Sequence, residues 1–313
     1  MKDVGIGEAT GKIILMGEHA VVYGEPAIAF PFNGTKIVAT LSESATATNT
    51  VTSSYHTGKL ADTPDNLANI RALTARLQKE FGASAFHLQI DSTIPAERGM
   101  GSSAAVAVAI TRAFFDWQDR PLTEEQLLFY VNFSEQIAHG NPSGIDAAAT
   151  SGSQPIFFLK NKEIIPFPLH LDAYLLVADT GIKGQTRAAV KSVAELYEVD
   201  QAFTSNHLQQ IGRLTRHAQH AIMSNHPQEL GLLMTEAHLR LASLHVSNSE
   251  LNNYIRLALA EGALGAKLTG GGRGGCFIVL TKSKDDAIRI GRKLKVAGVK
   301  DAWLQGLGVY QYA

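Results

Sequence analysis

The stretch Pro95-Ala96-Glu97-Arg98-Gly99-Met100-Gly101-Ser102-Ser103-Ala104-Ala105 constrains the fold of this chain more than any other. A strand-like run, 86–90, leads into it, and a small, apolar, helix-compatible run from Ala104 to Ile110 leaves it. Two glycines let the backbone turn tightly and approach a ligand closely. The helix that follows starts with exposed N–H groups and two hydroxyls in its first turn. Strand, glycine turn and helix N-terminus in this order make an anion site, with phosphate the obvious anion. The expectation is a protein that handles a nucleotide.

The remaining composition narrows the class. With 313 residues, 45% of them apolar and 18% charged, the chain is long enough for two globular domains. Its 28 Lys+Arg nearly balance 29 Asp+Glu, so charge offers no reason to expect nucleic acid or an anionic membrane as partner. The lone cysteine, Cys276, excludes an intrachain disulfide and suits a reducing compartment. No apolar run approaches the roughly 18 residues that span a bilayer. The first residues, Met-Lys-Asp-Val-Gly-Ile-Gly-Glu, lack a secretory core, and their acids argue against a transit peptide. A cytoplasmic location is expected.

Hydrophobic spacing predicts strands at 10–15, 35–41, 86–90, 155–159, 164–167, 174–179, 276–281 and 302–311. It predicts helices at 65–81, 103–117, 123–138, 184–197, 205–223, 227–244, 248–261 and 284–296. Thr123 with Gln126 three residues on is a capping box. The shift from mixed strand and helix to mostly helix places a domain division near 170, giving domains 1–170 and 171–313.

Two further glycine-rich segments flank the first. Gly11-Lys12-Ile-Ile-Leu-Met-Gly-Glu18-His19-Ala-Val-Val-Tyr-Gly24 only superficially resembles a Walker A loop, since Ile13 follows the lysine. Lys12, Glu18 and His19 bracket an apolar strand, either as surface residues beside a turn or as part of a site. Lys267-Leu-Thr-Gly-Gly-Gly-Arg-Gly-Gly-Cys276 packs five glycines into six positions, so its backbone presses against a ligand or another loop. Cys276 reads as a small apolar residue rather than a nucleophile. Gly99-x-Gly101-x-x-Ala104 also matches the dinucleotide fingerprint, but about 100 residues in and without a run of βαβ units. Glu135 falls near the end of a predicted helix, and Asp146 follows the loop Gly140-Asn-Pro-Ser-Gly-Ile; an acid exposed by such a loop is usually a solvated turn residue or an N-cap.

In this order the motifs resemble the GHMP kinase superfamily. Gly-Glu-His-Ala-Val-Val-Tyr-Gly together with His-Gly-Asn-Pro-Ser-Gly-Ile-Asp is most similar to its mevalonate kinases. Two departures stand out: Arg273 replaces a small or apolar residue in the third loop, and Glu97-Arg98 replaces smaller residues before the second. The resemblance implies an α+β, two-domain fold. Its N-terminal domain is similar to domain 2 of ribosomal protein S5, its C-terminal domain has a ferredoxin-like core, and the active site lies between them.

It also implies transfer of the ATP γ-phosphoryl group to the 5-hydroxyl of mevalonate, a reaction that needs positioning and charge neutralisation more than covalent chemistry. By that similarity, residues 95–105 wrap the triphosphate, and Ser103 and Glu135 ligate Mg²⁺. Asp146 accepts the proton of the substrate hydroxyl, with Lys12 stabilising the charge. Glu18, His19 and Thr180 line the mevalonate pocket, Lys160 is a candidate for the substrate carboxylate, and the third loop leans on the nucleotide loop. A homodimer is common in the family, although no stripe of residues identifies an interface. The alternatives are another GHMP kinase acting on phosphomevalonate or homoserine, a non-catalytic binding protein of the same fold, and a nicotinamide oxidoreductase.

Overall fold

The computed structural model describes residues 2–140, 142, 144–152, 154–160, 164–168 and 171–308. In chain order the first elements are β1 (Val4–Met16), β2 (Ala27–Glu43), β3 (Thr50–Thr52), β4 (Thr57–Lys59), α1 (Ala68–Phe81), β5 (Phe86–Ser92), α2 (Ser102–Trp117), α3 (Glu124–His139) and α4 (Ile145–Ser151). There follow β6 (Ile156–Phe158), β7 (Ile165–Pro166), β8 (Tyr174–Asp179), α5 (Thr186–Val199), α6 (Gln201–Met223), α7 (Pro227–Ser243) and α8 (Ser249–Ala260). The last are β9 (Gly265–Leu268), β10 (Cys276–Thr281), α9 (Lys284–Val296) and β11 (Asp301–Gly306). Residues 309–311 of the last predicted strand lie outside the described residues, as do Leu169 and His170 at the expected domain division.

The chain forms two compact units, each discontinuous in sequence. Unit 1 contains Met1–Gly11, Thr35–Pro95 and Gly101–Gly152, and unit 2 contains Lys12–Gly34, Ala96–Met100 and Ser153–Ala313. Sequence reading places a single division at 170. In the structure two short N-terminal segments cluster with the C-terminal half.

In unit 1 the second part of β2 pairs antiparallel with β5 from Ile37↔Ser92 to Glu43↔Phe86, and β3 joins β5 in parallel. The start of β1 lies against α2, and glycine permits it. A Cβ on Gly5 would collide with the Ala113 carbonyl and Trp117, and one on Gly7 with the Ala109 carbonyl. Both sit at buried positions of an alternating strand, opposite a helix whose buried face is largely alanine. The strand predicted at 10–15 therefore begins at Val4, because apolar periodicity is blind to a strand that buries glycine. Helix α3 starts as its capping box requires: Gln126 N donates to Thr123 Oγ1 (3.2 Å) and Thr123 N donates to Gln126 Oε1 (3.0 Å).

Unit 2 is organised by four antiparallel strands in the order β11-β8-β10-β9. Numbered along the chain from β8, that is fourth, first, third, second, with helices after the first and the third, the ferredoxin-like arrangement. Leu176, Ala178, Phe277 and Val279 of the two central strands join Leu241, Ile255 and Ile290 of the helices in one apolar core. The start of β2 pairs with β6. Short elements escaped sequence reading: β3, β4, β9 and the seven-residue α4 are too brief for periodicity to register.

Candidate active site

Unit 1 supplies a serine, two acids and a helix start. Gly101 takes the left-handed conformation (φ 70°) immediately before α2, whose first residues are Ser102 and Ser103. Helices α2, α3 and α4 pack on one another. They carry Ser103, Glu135 and Asp146 respectively. Glu135 is buried, while Ser103 and Asp146 are half-buried. Asn69 of α1 ties two of these helices together, its Nδ2 donating to Ser134 Oγ (3.1 Å) and to Ser103 Oγ (3.4 Å). His139 Nε2 lies 3.7 Å from Glu135 Oε2. Asp146 stands in the first turn of α4 after Gly144 (φ 89°), and its carbonyl accepts from Thr150 Oγ1 at 2.7 Å. Asn141 and Ser143 of that loop lie outside the described residues. Sequence reading assigned no part to Asn69; a buried asparagine in an apolar helix face was its only signal.

Unit 2 carries the cations and the first half of the glycine turn, Ala96–Met100. Lys12 is buried on β1, and its N donates to Met100 O at 3.0 Å. Glu18 is 1% exposed and forms an ion pair with Lys267, which is fully buried and also donates to Leu268 O (2.7 Å). Burial pushes the Glu18 carboxyl up and the Lys267 ammonium down. Lys12 contributes positive potential to both. His19 has φ 60° and is pushed down to about 4, chiefly by burial. Neutral, with Nε2 3.0 Å from Gly271 O, it must donate through that nitrogen. Lys267 was missing from the expected site; a lysine inside a strand that is otherwise apolar is the feature that marks it.

The third glycine loop presses against protein. Gly270, Gly272, Gly274 and Gly275 all have positive φ. A Cβ on Gly270 would lie 2.8 Å from Gly99 O, one on Gly275 2.8 Å from Arg98 O, and one on Gly274 2.7 Å from Lys183 O. A Cβ on Gly272 would collide with Val246 O. The loop thus leans on 98–99, as the resemblance implies. Arg273, the residue out of pattern there, anchors the loop: its Nε donates to His245 O (3.0 Å) and its Nη2 to Ser192 Oγ (2.8 Å). Cys276 is buried, its thiol pushed up by burial and by nearby Asp179, so it is a packing residue.

Of the other expected residues, Thr180 is buried and donates through N (3.1 Å) and Oγ1 (2.9 Å) to Gly275 O. Lys160 is half-buried in the turn after β6, beside Asn161–Glu163, which lie outside the described residues. Within 95–105, Arg98 and Met100 are buried and Glu97 is exposed.

Comparison with known proteins gives concordant results. Residues 68–153 match the family described as GHMP kinases N terminal domain, and residues 218–300 match GHMP kinases C terminal. The mevalonate kinase of Aeropyrum pernix is 31% identical over 294 residues, 90% of each chain. The crystal structure of mevalonate kinase from methicillin-resistant Staphylococcus aureus superposes with a TM-score of 0.76 at 36% identity, covering 98% of this chain and 100% of that one. The L. major mevalonate kinase in complex with R-mevalonate gives a TM-score of 0.80 at 26% identity, covering 97% and 95%.

Proposed function

From the premise that this chain belongs to the GHMP kinases, among the mevalonate kinases, we propose that it transfers the γ-phosphoryl group of ATP to the 5-hydroxyl of (R)-mevalonate. The observation that carries the reading is in unit 1, where a glycine turn delivers Ser103 at the start of α2, and the helices packed on it bring Glu135 and Asp146. Backbone N–H groups at the start of α2 face the phosphates. Asp146 accepts the proton of the attacking hydroxyl, and Lys12 offsets negative charge at the reacting oxygens. His19, as a neutral ring, offers Nδ1 as an acceptor to a substrate hydroxyl, so the substrate carboxylate requires a different partner, for which Lys160 is the candidate.

The donor set of unit 1 suits Mg²⁺. The Ser103 hydroxyl and the buried Glu135 carboxylate are hard oxygen donors. Among the described residues no group of three or more His, Cys, Asp or Glu forms an all-protein cage. Two protein ligands would leave room for phosphate oxygens and water, the habit of this ion. When bound, Mg²⁺ would neutralise charge on the nucleotide phosphates.

No helix among the described residues is long and apolar enough to cross a membrane. A cytoplasmic location, supported by the single buried thiol, and a homodimer complete the reading.

The decisive measurement is ADP release with mevalonate, phosphomevalonate, galactose and homoserine as acceptors, together with Asp146→Asn. Turnover is expected with mevalonate, and loss of the base lowers kcat by about 10²- to 10⁴-fold. Turnover confined to a different acceptor, or a near-normal rate in Asp146→Asn, overturns the assignment.

A further inference from the structure

Arg98 stands in the middle of the glycine turn, where a cation invites the role of phosphate ligand. Its surroundings give it another. The side chain is 10% exposed and turned into unit 2. There Nε lies 2.8 Å from Asp179 Oδ1, at the end of β8. Nη2 donates to Gly181 O at 2.9 Å, and Nη1 approaches Ala96 O at 3.4 Å. The two Nη atoms thus donate to carbonyls, while Nε meets the carboxylate as an ion pair without hydrogen-bond geometry. Asp179 is held in turn, since its Oδ1 also accepts from Gly181 N (2.8 Å).

The backbone around this pair is stitched on both sides. Cys276 N donates to Arg98 O (3.0 Å), Gly184 N to Glu97 O (2.7 Å), and Gly275 N to Ile182 O (2.8 Å). Three segments, 96–100, 179–184 and 270–276, therefore share one hydrogen-bonded seam, and Arg98–Asp179 is its buried charge pair. Glu97, the other residue out of pattern, meets Lys183 at 2.6 Å on the exposed side of the same seam. An exposed pair of that kind adds little energy. A buried guanidinium that meets one carboxylate and two carbonyls fixes geometry.

We infer that Arg98 is a positioning residue, acting through Asp179 to hold the first half of the nucleotide-phosphate loop in its binding shape, and that it does not ligate the phosphates. The inference rests on the reading that residues 95–105 wrap the ATP phosphates. Its chemistry is preorganisation: a loop fixed before nucleotide arrives loses less entropy when it binds.

The test is a double-mutant cycle on the full chain, read by calorimetric binding of a non-hydrolysable ATP analogue without acceptor and by kcat/KM for ATP. Its corners are Arg98→Met, Asp179→Asn and their combination. The pair Arg98→Met with Asp179→Leu replaces the buried charges with apolar groups, which commonly preserves stability, and so covers the case in which a single variant fails to fold. Arg98→Lys keeps the charge without the fork.

Asp179→Asn, which touches no phosphate in either reading, is expected to weaken analogue binding about as much as Arg98→Met, on the order of tenfold or more. The combined variant should be no worse than either single, the apolar pair should stay weak although folded, and Arg98→Lys should recover part of the affinity. Hydrogen exchange at 97–100 should rise in all of them. Weak binding in the Arg98 variants alone, with Asp179→Asn like wild type, makes Arg98 a direct ligand and overturns the inference. So does wild-type affinity in every variant with only thermal stability lowered. Failure of the wild-type chain to bind the analogue overturns the underlying reading first, and the clamp falls with it.

Discussion

Among its described residues unit 2 contains two buried ion pairs, and they are built differently. Arg98–Asp179 has more support: its Nε–Oδ1 contact is an ion pair without hydrogen-bond geometry, but the guanidinium also reaches the carbonyls of Gly181 and Ala96, and the carboxylate takes the Gly181 amide. Glu18–Lys267 lies deeper and has less support. Lys267 adds only the carbonyl of its neighbour Leu268, and Glu18 Oε2 has no hydrogen-bond partner from another described residue. Burial moves both of these groups toward neutrality. A buried charge costs less the more of its lone pairs and protons are answered. The supported pair can therefore serve geometry and tolerate replacement, whereas the other is a point on which the fold depends. Each pins an N-terminal segment, 96–100 or the turn after β1, to the C-terminal half, which is why those segments cluster with unit 2.

The largest expected effect separates the two pairs. Lys267→Met strips the buried Glu18 of its ion-pair partner, and should lower stability by about 3–5 kcal/mol in urea unfolding. Arg98→Met should cost clearly less, because Asp179 keeps the Gly181 amide. Equal losses would erase the distinction. Next comes the seam itself. Gly275→Ala places a methyl group 2.8 Å from Arg98 O at φ 73°. It should lower stability by about 1–3 kcal/mol and weaken ATP as the Arg98 variants do. Gly82→Ala, at φ 59° with no described residue within 4 Å of its Cβ, is the control for backbone strain alone.

The smallest effect is a pH dependence next to the deeper pair. His19 and His238 are both held down to about 4 from an ordinary 6.5, first by burial and also by Lys267. Between those two values the unfolded chain binds protons that the folded chain refuses, so stability falls as pH drops from 6.5 toward 4. His238→Gln should flatten that dependence relative to wild type when urea midpoints are compared across the window. An unchanged slope would mean that His238 is not held neutral.

The long helices and the main strands were legible because their apolar periods extend over enough residues to be unambiguous, as in α6, α7 and β8. The capping box of α3 was legible because it is a purely local device. The apolar pattern puts the start of β1 six residues late, since Gly5 and Gly7 face α2 and carry no apolar side chain to count. For the candidate site, the glycine turn and the small-residue helix after it could be read directly, as backbone freedom is a property of residue type. Asn69, Lys267 and the task of Arg98 could not, because each meets its partner across 34 or more residues of chain.

Sequence alone determined that a glycine turn opens a helix with two hydroxyls, that acids and a lysine stand at fixed distances along the chain, and that the third loop must press its backbone against something. These follow from local conformational freedom and from the order of residues. Tertiary structure decided what it presses against and whom each charge meets. Gly270 and Gly275 rest on Gly99 and Arg98, Arg98 turns inward to Asp179, and Glu18 is held by a lysine 249 residues away. Pairings of that kind depend on which strands lie side by side, and no local preference specifies them.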